Sequence, residues 1–237
     1  VNITDNEPPS ITCSPVEVDT NADQCEATVV VPQPSVSDNC QDGRALAFDG
    51  VNDYIALQMT EIGANSIPQI TVEAWVNTNY SSPGNFDNWS IFDFDRSEFF
   101  NVFITGTGQL GFGSSANGTA LNDMFSGTTG LLNDGSWHHI AAVYDGVDKI
   151  AYIDGVEVGR VVNAHSSQAL GMGPQRFAFI GSGSEATYYN GPRNVGTYDG
   201  KIDEVRYWHT ARTQTEIQNN MNLALFGNEA GLIAYYN

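Results

Sequence analysis

The run Asp49-Gly-Val-Asn-Asp53 places two aspartates and an asparagine beside a glycine. Asp and Asn beside glycine favour a tight turn. Calcium takes six to eight hard oxygen ligands, many of them carboxylates and backbone carbonyls of loops. The run therefore predicts a calcium site with Asp49, Asn52 and Asp53 as ligands. The alternative is an Asx-turn network, in which these side chains bind backbone amides instead of an ion.

Two segments combine aromatic rings with polar groups. The first covers residues 79–101 and contains Trp89, and the second covers residues 185–193. Sugar sites use such a mixture, because aromatic faces pack on C–H surfaces while polar groups bind hydroxyls. We expect a polysaccharide or glycan to contact Trp89, Tyr188, Tyr189 and Arg193. The alternative for the first segment is that Trp89, Phe92 and Phe94 alternate into the core.

The charge balance limits the possible partners. The 237 residues include 9 Lys and Arg against 28 Asp and Glu, a formal net charge of −19. Such a surface repels nucleic acid and anionic membranes. The sequence contains no run of about 20 apolar residues, so insertion into a membrane is not expected. The composition suits metal cations and neutral partners such as sugars.

All three cysteines, Cys13, Cys25 and Cys40, fall in the first forty residues. The chain contains no CxxC pair, so a zinc site is not expected. Cys25 and Cys40 flank a strand-like run and suit one disulfide, which forms in an oxidising compartment. This predicts a secreted or cell-surface protein. Because Val1 is not a natural start, we expect this chain to be a piece of a longer parent chain. The other domains of that parent are its expected partners, and the cysteine that pairs with Cys13 is expected among them.

The pattern of the remaining chain predicts strands almost throughout. Residues 70–76 alternate apolar and polar side chains as a half-buried strand does, and Asp154-Gly155 is typical of a hairpin turn. Thr213 and Glu216 have the spacing of a capping box, which predicts one short helix. Further strands are predicted at 90–94, 99–105, 109–113, 137–144, 149–153, 156–160, 177–180, 200–208 and 231–236. The fold class is therefore all-β, with two packed antiparallel sheets and one helix.

Residues 1–43 differ from the rest and form the first of two predicted domains. Thr4-Asp-Asn-Glu-Pro-Pro9, Ile11-Thr-Cys13, Cys25, Ala27-Thr-Val29 and Ser37-Asp-Asn-Cys40 resemble the start of a hyalin repeat, an immunoglobulin-like module. The resemblance covers about half of such a repeat and implies a small, partial β segment. It also implies that Cys25 pairs with Cys40, and that Cys13 pairs with a later cysteine that this chain lacks.

The second predicted domain, residues 44–237, resembles the laminin-G-like jelly rolls of the concanavalin-like lectin and glucanase fold. The matching runs are Leu46-Ala-Phe-Asp-Gly-Val-Asn-Asp-Tyr-Ile55, Thr71-Val-Glu-Ala-Trp-Val76, Ser136-Trp-His-His-Ile-Ala-Ala-Val-Tyr-Asp-Gly146, Tyr152-Ile-Asp-Gly-Val156, Gly200-Lys-Ile-Asp-Glu-Val-Arg-Tyr-Trp208, Ala211-Arg-Thr-Gln-Thr-Glu-Ile217 and Gly231-Leu-Ile-Ala-Tyr-Tyr236. The resemblance implies a jelly-roll sandwich. It also implies a structural calcium where the first and last strands meet, with Asp203 as a further ligand.

The fold hosts both enzymes and binding modules, so the resemblance leaves the activity open. The hydrolases of this fold carry Glu-x-Asp-x-x-Glu on one strand, and residues 45–237 contain no such run. His138 and His139 are adjacent strand residues that point to opposite faces and cannot chelate one ion together. We therefore expect a non-catalytic extracellular module, carbohydrate-binding and stabilised by calcium. The alternative is a protein-binding or structural spacer module of a bacterial adhesin.

Overall fold

A computed structural model describes residues 10–12, 35–37, 45–57, 66–82, 89–117, 121–127, 132–173, 176–193 and 196–237. The chain divides into two compact units, Val1–Arg44 and Ala45–Asn237. In the first unit, strands β1 (Ser10–Thr12) and β2 (Ser35–Ser37) pair antiparallel. Cys25 and Cys40 lie outside the described residues, so their disulfide stays a prediction, as does the hyalin-like repeat.

The second unit contains thirteen of the described strands and one helix. Along the chain they are β3 (Leu46–Asp49), β4 (Ile55–Ala56), β5 (Ile70–Asn77), β6 (Trp89–Asp93), β7 (Phe100–Ile104), β8 (Leu110–Ser114), β9 (Asn122–Phe125), β10 (Trp137–Tyr144), β11 (Lys149–Ile153), β12 (Val156–Val161), β13 (Phe179–Ile180), β14 (Asp199–Trp208), α1 (Gln214–Asn220) and β15 (Leu232–Tyr236).

These strands form two antiparallel sheets, which confirms the predicted sandwich. The seven-stranded sheet has the order β12-β11-β10-β5-β14, and β3 and β15 share the far edge of β14. The six-stranded sheet has the order β4-β13-β6-β7-β8-β9. Because β3 and β4 belong to different sheets, the turn between them passes from one sheet to the other. They do not form the hairpin that strand, turn and strand in succession would suggest.

The core between the sheets is rich in aromatic rings. Val72, Ala74 and Val76 of β5 point into it at every second residue, as the alternation predicted. From the opposite sheet, Phe92 is fully buried and stacks on Tyr207 with ring centroids 5.6 Å apart. Phe92 and its neighbour Phe94 are therefore core residues, which was the alternative prediction for this segment. Strand β9 was not predicted, because Asn-Asp-Met-Phe has no period-two alternation.

Helix α1 covers part of the outer face of the seven-stranded sheet. Its N-cap is Thr213, whose side chain accepts the backbone N–H of Glu216, so the predicted capping box is confirmed. Ile217 is buried against apolar side chains of β10 and β11. This is the one helix among the described residues, and it is too short to cross a membrane.

Candidate functional site

A pocket of about 540 Å³ lies beside the turn that follows β3, and we call it the first-turn pocket. One wall is the turn itself, with Val51, Asn52 and Tyr54. The opposite wall consists of residues 190–193, and Ser182 and residues 196–197 complete the lining. Its volume falls within the range of roughly 300–1,000 Å³ that is typical of small-ligand sites.

The two walls meet where Arg193 packs on Tyr54. The guanidinium carbon lies 3.5 Å from the centroid of the Tyr54 ring, a cation–π contact. Tyr54 is fixed in turn by an edge-to-face contact with the buried Phe179 of β13, with centroids 5.7 Å apart. The arginine is therefore held against a ring that the core supports.

The first turn is built from hydrogen bonds to its own backbone. Gly50 has a φ of +74°, and an added Cβ would lie 2.9 Å from the side chain of Asp199, so this position requires glycine. Its N–H donates to the carbonyl of Tyr198, and its carbonyl accepts the hydroxyl of Thr197 at 2.7 Å. These bonds join the turn to Thr197, which also lines the pocket, and to Tyr198 after it.

The loop that carries Tyr188, Tyr189 and Arg193 is closed by two backbone hydrogen bonds. Glu185 N donates to the carbonyl of Pro192 at 3.2 Å, and Gly191 N donates to the carbonyl of Tyr188 at 2.9 Å. Within this closed loop the two tyrosine side chains are exposed by 61% and 51%. The structure therefore presents both predicted tyrosines to solvent next to a residue of the pocket wall.

Trp89 does not share that surface. Its ring packs against the core and lies 4.2 Å from the ring of Tyr80, centroid to centroid. Its neighbour Ser90 donates its N–H to the carbonyl of Gly196, so the strand of Trp89 supports the pocket rim. Trp89 itself is half-buried and is not part of the pocket lining. Of the four predicted ligand contacts only Arg193 lines the pocket. Tyr188 and Tyr189 are exposed on the same loop, just before the lining residues 190–193, and Trp89 lies on a different strand.

The predicted calcium ligands do not form one cluster. Asp49 pairs with Asp199 across β3 and β14, whereas Asp203 lies four residues further along β14 and pairs with Trp75 of β5. At about 3.4 Å per residue this separates Asp203 from Asp49 by about 14 Å along the strand. The prediction that one ion joins Asp203 to the first turn is therefore wrong in its geometry.

Asp203 has a local structural role instead. Its Oδ1 accepts the backbone N–H of Glu204 at 2.8 Å, at a β-bulge where Glu204 has a φ of +53°. This hydrogen bond stabilises a bulge in which a residue other than glycine adopts a positive φ. The sequence run Lys-Ile-Asp-Glu gives no signal that distinguishes a bulge from a ligand.

The remaining three predicted ligands, Asp49, Asn52 and Asp53, lie together in the turn, and the carboxylates of the two aspartates bind its backbone. Asp49 Oδ1 accepts the N–H groups of Val51 and Asn52, and Asp53 Oδ2 accepts the N–H of Asp49. This is the Asx-turn network of the alternative prediction. Nowhere in the described part of the chain do three or more His, Cys, Asp or Glu side chains group as a metal site would require. Calcium at the turn stays a prediction, and the geometry supplies only part of a ligand set.

A group of three carboxyl groups near the end of β6 is bonded to other protein groups, and two of the three are buried. Asp93 ends β6, and Asp95 and Glu98 follow it within residues 79–101, where no pattern in the sequence indicated that the three form one group. Asp93 accepts the N–H of Asp95 at 2.6 Å, and Arg176 bridges Asp95 and Glu98 at 3.2 and 3.0 Å. Burial raises the pKa of both Asp93 and Asp95 to about 7. Both side chains are at most 2% exposed, so substrate cannot reach them in this conformation.

The two adjacent histidines point to opposite faces, as predicted. His139 is buried on the helix side of the seven-stranded sheet, with Nε2 3.4 Å from Glu73. His138 lies between Asp154 and Asp134, at 2.8 and 3.3 Å, and these carboxylates raise its pKa although partial burial opposes the shift. Each ring therefore has its own carboxylate partners, and the pair does not form a site.

The family model Laminin_G_3, of the concanavalin A-like lectin/glucanases superfamily, matches residues 49–218. Among solved structures, a Bacteroides ovatus protein provisionally assigned as carbohydrate-binding superimposes with a TM-score of 0.57 at 22% identity, over 81% of this chain and 50% of that one. A heptameric pentraxin of Limulus polyphemus gives 0.52 at 17% identity, over 73% and 78%. Domains LG4-5 of the mouse laminin alpha1 chain give 0.51 at 17% identity, over 69% and 40%.

At these identities the structures show a shared fold. The chain spans half of the Bacteroides ovatus protein. No curated protein matches the sequence.

Proposed function

The chain belongs to the Laminin_G_3 family of the concanavalin A-like lectin/glucanases superfamily, and from that premise we propose that it is a non-catalytic, carbohydrate-binding module of an extracellular protein. The observation that carries the proposal is the first-turn pocket, whose lining residues 190–193 directly follow the exposed Tyr188 and Tyr189 on one loop. Solvent-exposed aromatic rings on a closed loop cost little conformational entropy when they are covered by a ligand. Exposed tyrosines that flank a polar pocket are therefore suited to a sugar.

The chemistry of the lining supports a sugar over a purely apolar ligand. Asn52, Asn190 and Thr197 offer amide and hydroxyl groups, and Tyr54 contributes a ring that the core supports. Sugars present hydroxyl groups around their rim and C–H groups on their faces. A site with a few polar groups among packing surfaces fixes the orientation of such a ligand.

The absence of catalysis is also part of the proposal. Glycoside hydrolysis needs two carboxyl groups across a cleft that admits the substrate. The pocket lining contains no Asp or Glu, and the buried carboxyl groups near β6 are bonded to protein. We expect no release of reducing ends from polysaccharides, and turnover that depends on Asp93 or Glu98 would contradict this part.

The test is a glycan array probed with the purified chain, in calcium and in excess chelator. We expect binding to at least one glycan, and a loss on the order of tenfold in affinity for Tyr188→Ala with Tyr189→Ala, from about 0.5–1.5 kcal/mol per ring contact. Phe226→Ala is the matched control, because this ring is 88% exposed on a different loop. Equal loss in the control, or unchanged binding in the tyrosine variant, would refute the assignment of the site.

Protein binding is the second candidate, and one feature favours it. Phe226 and Leu223, exposed by 88% and 55%, lie on the loop after α1. Glu229 fixes this loop by accepting the N–H groups of Phe226 and Gly227 at 2.7 and 3.0 Å. If the module binds its target through this loop, Phe226→Ser removes that binding and the tyrosine variant keeps it.

A further inference from the structure

The arginines of this chain are nearly all committed to carboxylates. Five of those that the structure describes form ion pairs within 4.0 Å of an Asp or Glu: Arg96, Arg160, Arg176, Arg206 and Arg212. Arg193 is the one arginine in the described ranges for which no such pair is found. In a protein with 28 acidic residues against 9 basic ones, an arginine without a carboxylate partner is exceptional.

The position of Arg193 makes this absence informative. Its guanidinium packs on the Tyr54 ring at the wall of the first-turn pocket. A guanidinium that rests one face on a ring still has its N–H groups directed outward in its own plane. These donors are suited to the two oxygens of a carboxylate, which bind a guanidinium side by side.

The charges around the pocket determine how an anion can bind there. The residues that line it include one arginine and no acidic side chain, although the chain as a whole carries a net charge of −19. Asp53 in the first turn and Asp199 beside Gly50 repel an anion that stays at a distance. An anionic group gains at this site only through direct contact with Arg193, where the charge-assisted hydrogen bonds form.

We propose that the first-turn pocket selects an acidic sugar, and that Arg193 binds the carboxylate of a uronic acid. This rests on the proposed function, because it names the ligand class of the same site. Tyr188 and Tyr189, exposed on the same loop as Arg193, then contact neighbouring units of the sugar chain. Arg193 then determines specificity, while the tyrosines provide affinity for the carbohydrate chain.

The experiment compares acidic oligosaccharides with neutral counterparts of the same backbone. Oligomers of galacturonate, glucuronate and mannuronate are titrated into the chain by calorimetry, each beside its carboxyl-reduced form and in excess chelator. We expect at least one acidic oligomer to bind on the order of tenfold or more tightly than its reduced form, from one charge-assisted contact. The preference should weaken as salt is raised.

Two variants assign the effect to the residue. Arg193→Gln should abolish the preference for the acidic form, and Arg193→Lys should recover part of it, because lysine keeps the charge but not the planar pair of donors. Arg160→Gln is the matched control, since Arg160 is bonded to Glu157 and Asp148 outside the pocket. The melting temperature of each variant shows that it is folded.

The outcomes separate this inference from the function on which it rests. A neutral glycan that binds through Tyr188 and Tyr189, with no acidic preference, overturns the selection of a uronic acid and leaves the sugar site in place. An acidic preference that survives Arg193→Gln overturns the role of Arg193. If no glycan binds at all, both the function and its refinement fail.

Discussion

The substitution Glu73→Gln tests how the helix is attached to the seven-stranded sheet. Glu73, in β5, is completely buried on the sheet face that α1 covers. One carboxylate oxygen lies 3.2 Å from Nε of Arg212, just before the helix, and the other lies 3.4 Å from Nε2 of His139. Neither contact has hydrogen-bond geometry, so the stabilisation is mainly electrostatic.

The expected cost follows from the charge that the substitution leaves behind. Arg212 keeps only 11% of its side chain in water, and its guanidinium lies over the ring of Trp208 at 4.0 Å. Removing one member of a buried ion pair costs about 3–5 kcal/mol, because the remaining charge loses its compensation. We expect a value near the lower end, since glutamine preserves the volume of the side chain and Arg212 retains some contact with water.

The assay is unfolding in urea, with thermal melting beside it. For a domain of this size, about 3 kcal/mol corresponds to a fall of roughly 6–12 °C in Tm. The control is Glu157→Gln, which removes a partner of Arg160 at 2.8 Å where both side chains are about one-third exposed. A surface pair of this kind contributes about 1 kcal/mol or less.

A free energy of unfolding within 1 kcal/mol of that of the unmodified protein, with a loss no larger than that of the control, would refute the argument that the buried charge pair stabilises the attachment of the helix. The glycan affinity of the folded variant should be unchanged, because residue 73 lies outside the pocket lining.

Gly181→Ala should destabilise the fold by about 1–3 kcal/mol more than Gly227→Ala does, because both have a φ near +80° but only the first places its Cβ 2.2 Å from the ring of Phe48; equal urea midpoints would contradict this. Burial raises the pKa of Asp93 from 3.8 to about 7, so the folded state binds more protons than the unfolded state between these values, and stability should fall as the pH rises from about 4 to about 7. Asp93→Asn should flatten that fall, and a pH profile of unfolding identical to that of the unmodified protein would exclude this origin. Calcium at the first turn should raise Tm, corresponding to about 2.7 kcal/mol at a hundredfold excess over Kd, and Asp53→Asn should remove the rise; melting that is unchanged by excess chelator would leave the turn as a hydrogen-bond network.

The local elements were predictable because their signals lie within a few residues of one another. Strands β10 and β11 begin and end where the alternation indicated, at Trp137–Tyr144 and Lys149–Ile153. The Asp154-Gly155 turn adopts positive φ values of 50° and 73° at these residues, as the hairpin motif requires. The helix begins at its capping box for the same reason, since a cap and its first turn span only four residues.

The site depended on contacts between distant parts of the chain. The sequence selected Arg193, Tyr188 and Tyr189 by residue type, but not Tyr54, which supports Arg193 from the far wall of the pocket. It also assigned Asp203 to an ion, whereas the register of β14 against β3 places this residue at a bulge, away from the turn.

The physical reason is the same in each case. The side-chain period of a strand is two residues and that of a helix is 3.6, so the sequence determined which residues form elements and which faces are apolar. Where one strand meets another along its length is set by the packing of the two whole sheets. The tertiary structure alone therefore decided which polar groups become neighbours in the pocket and which are consumed by the fold.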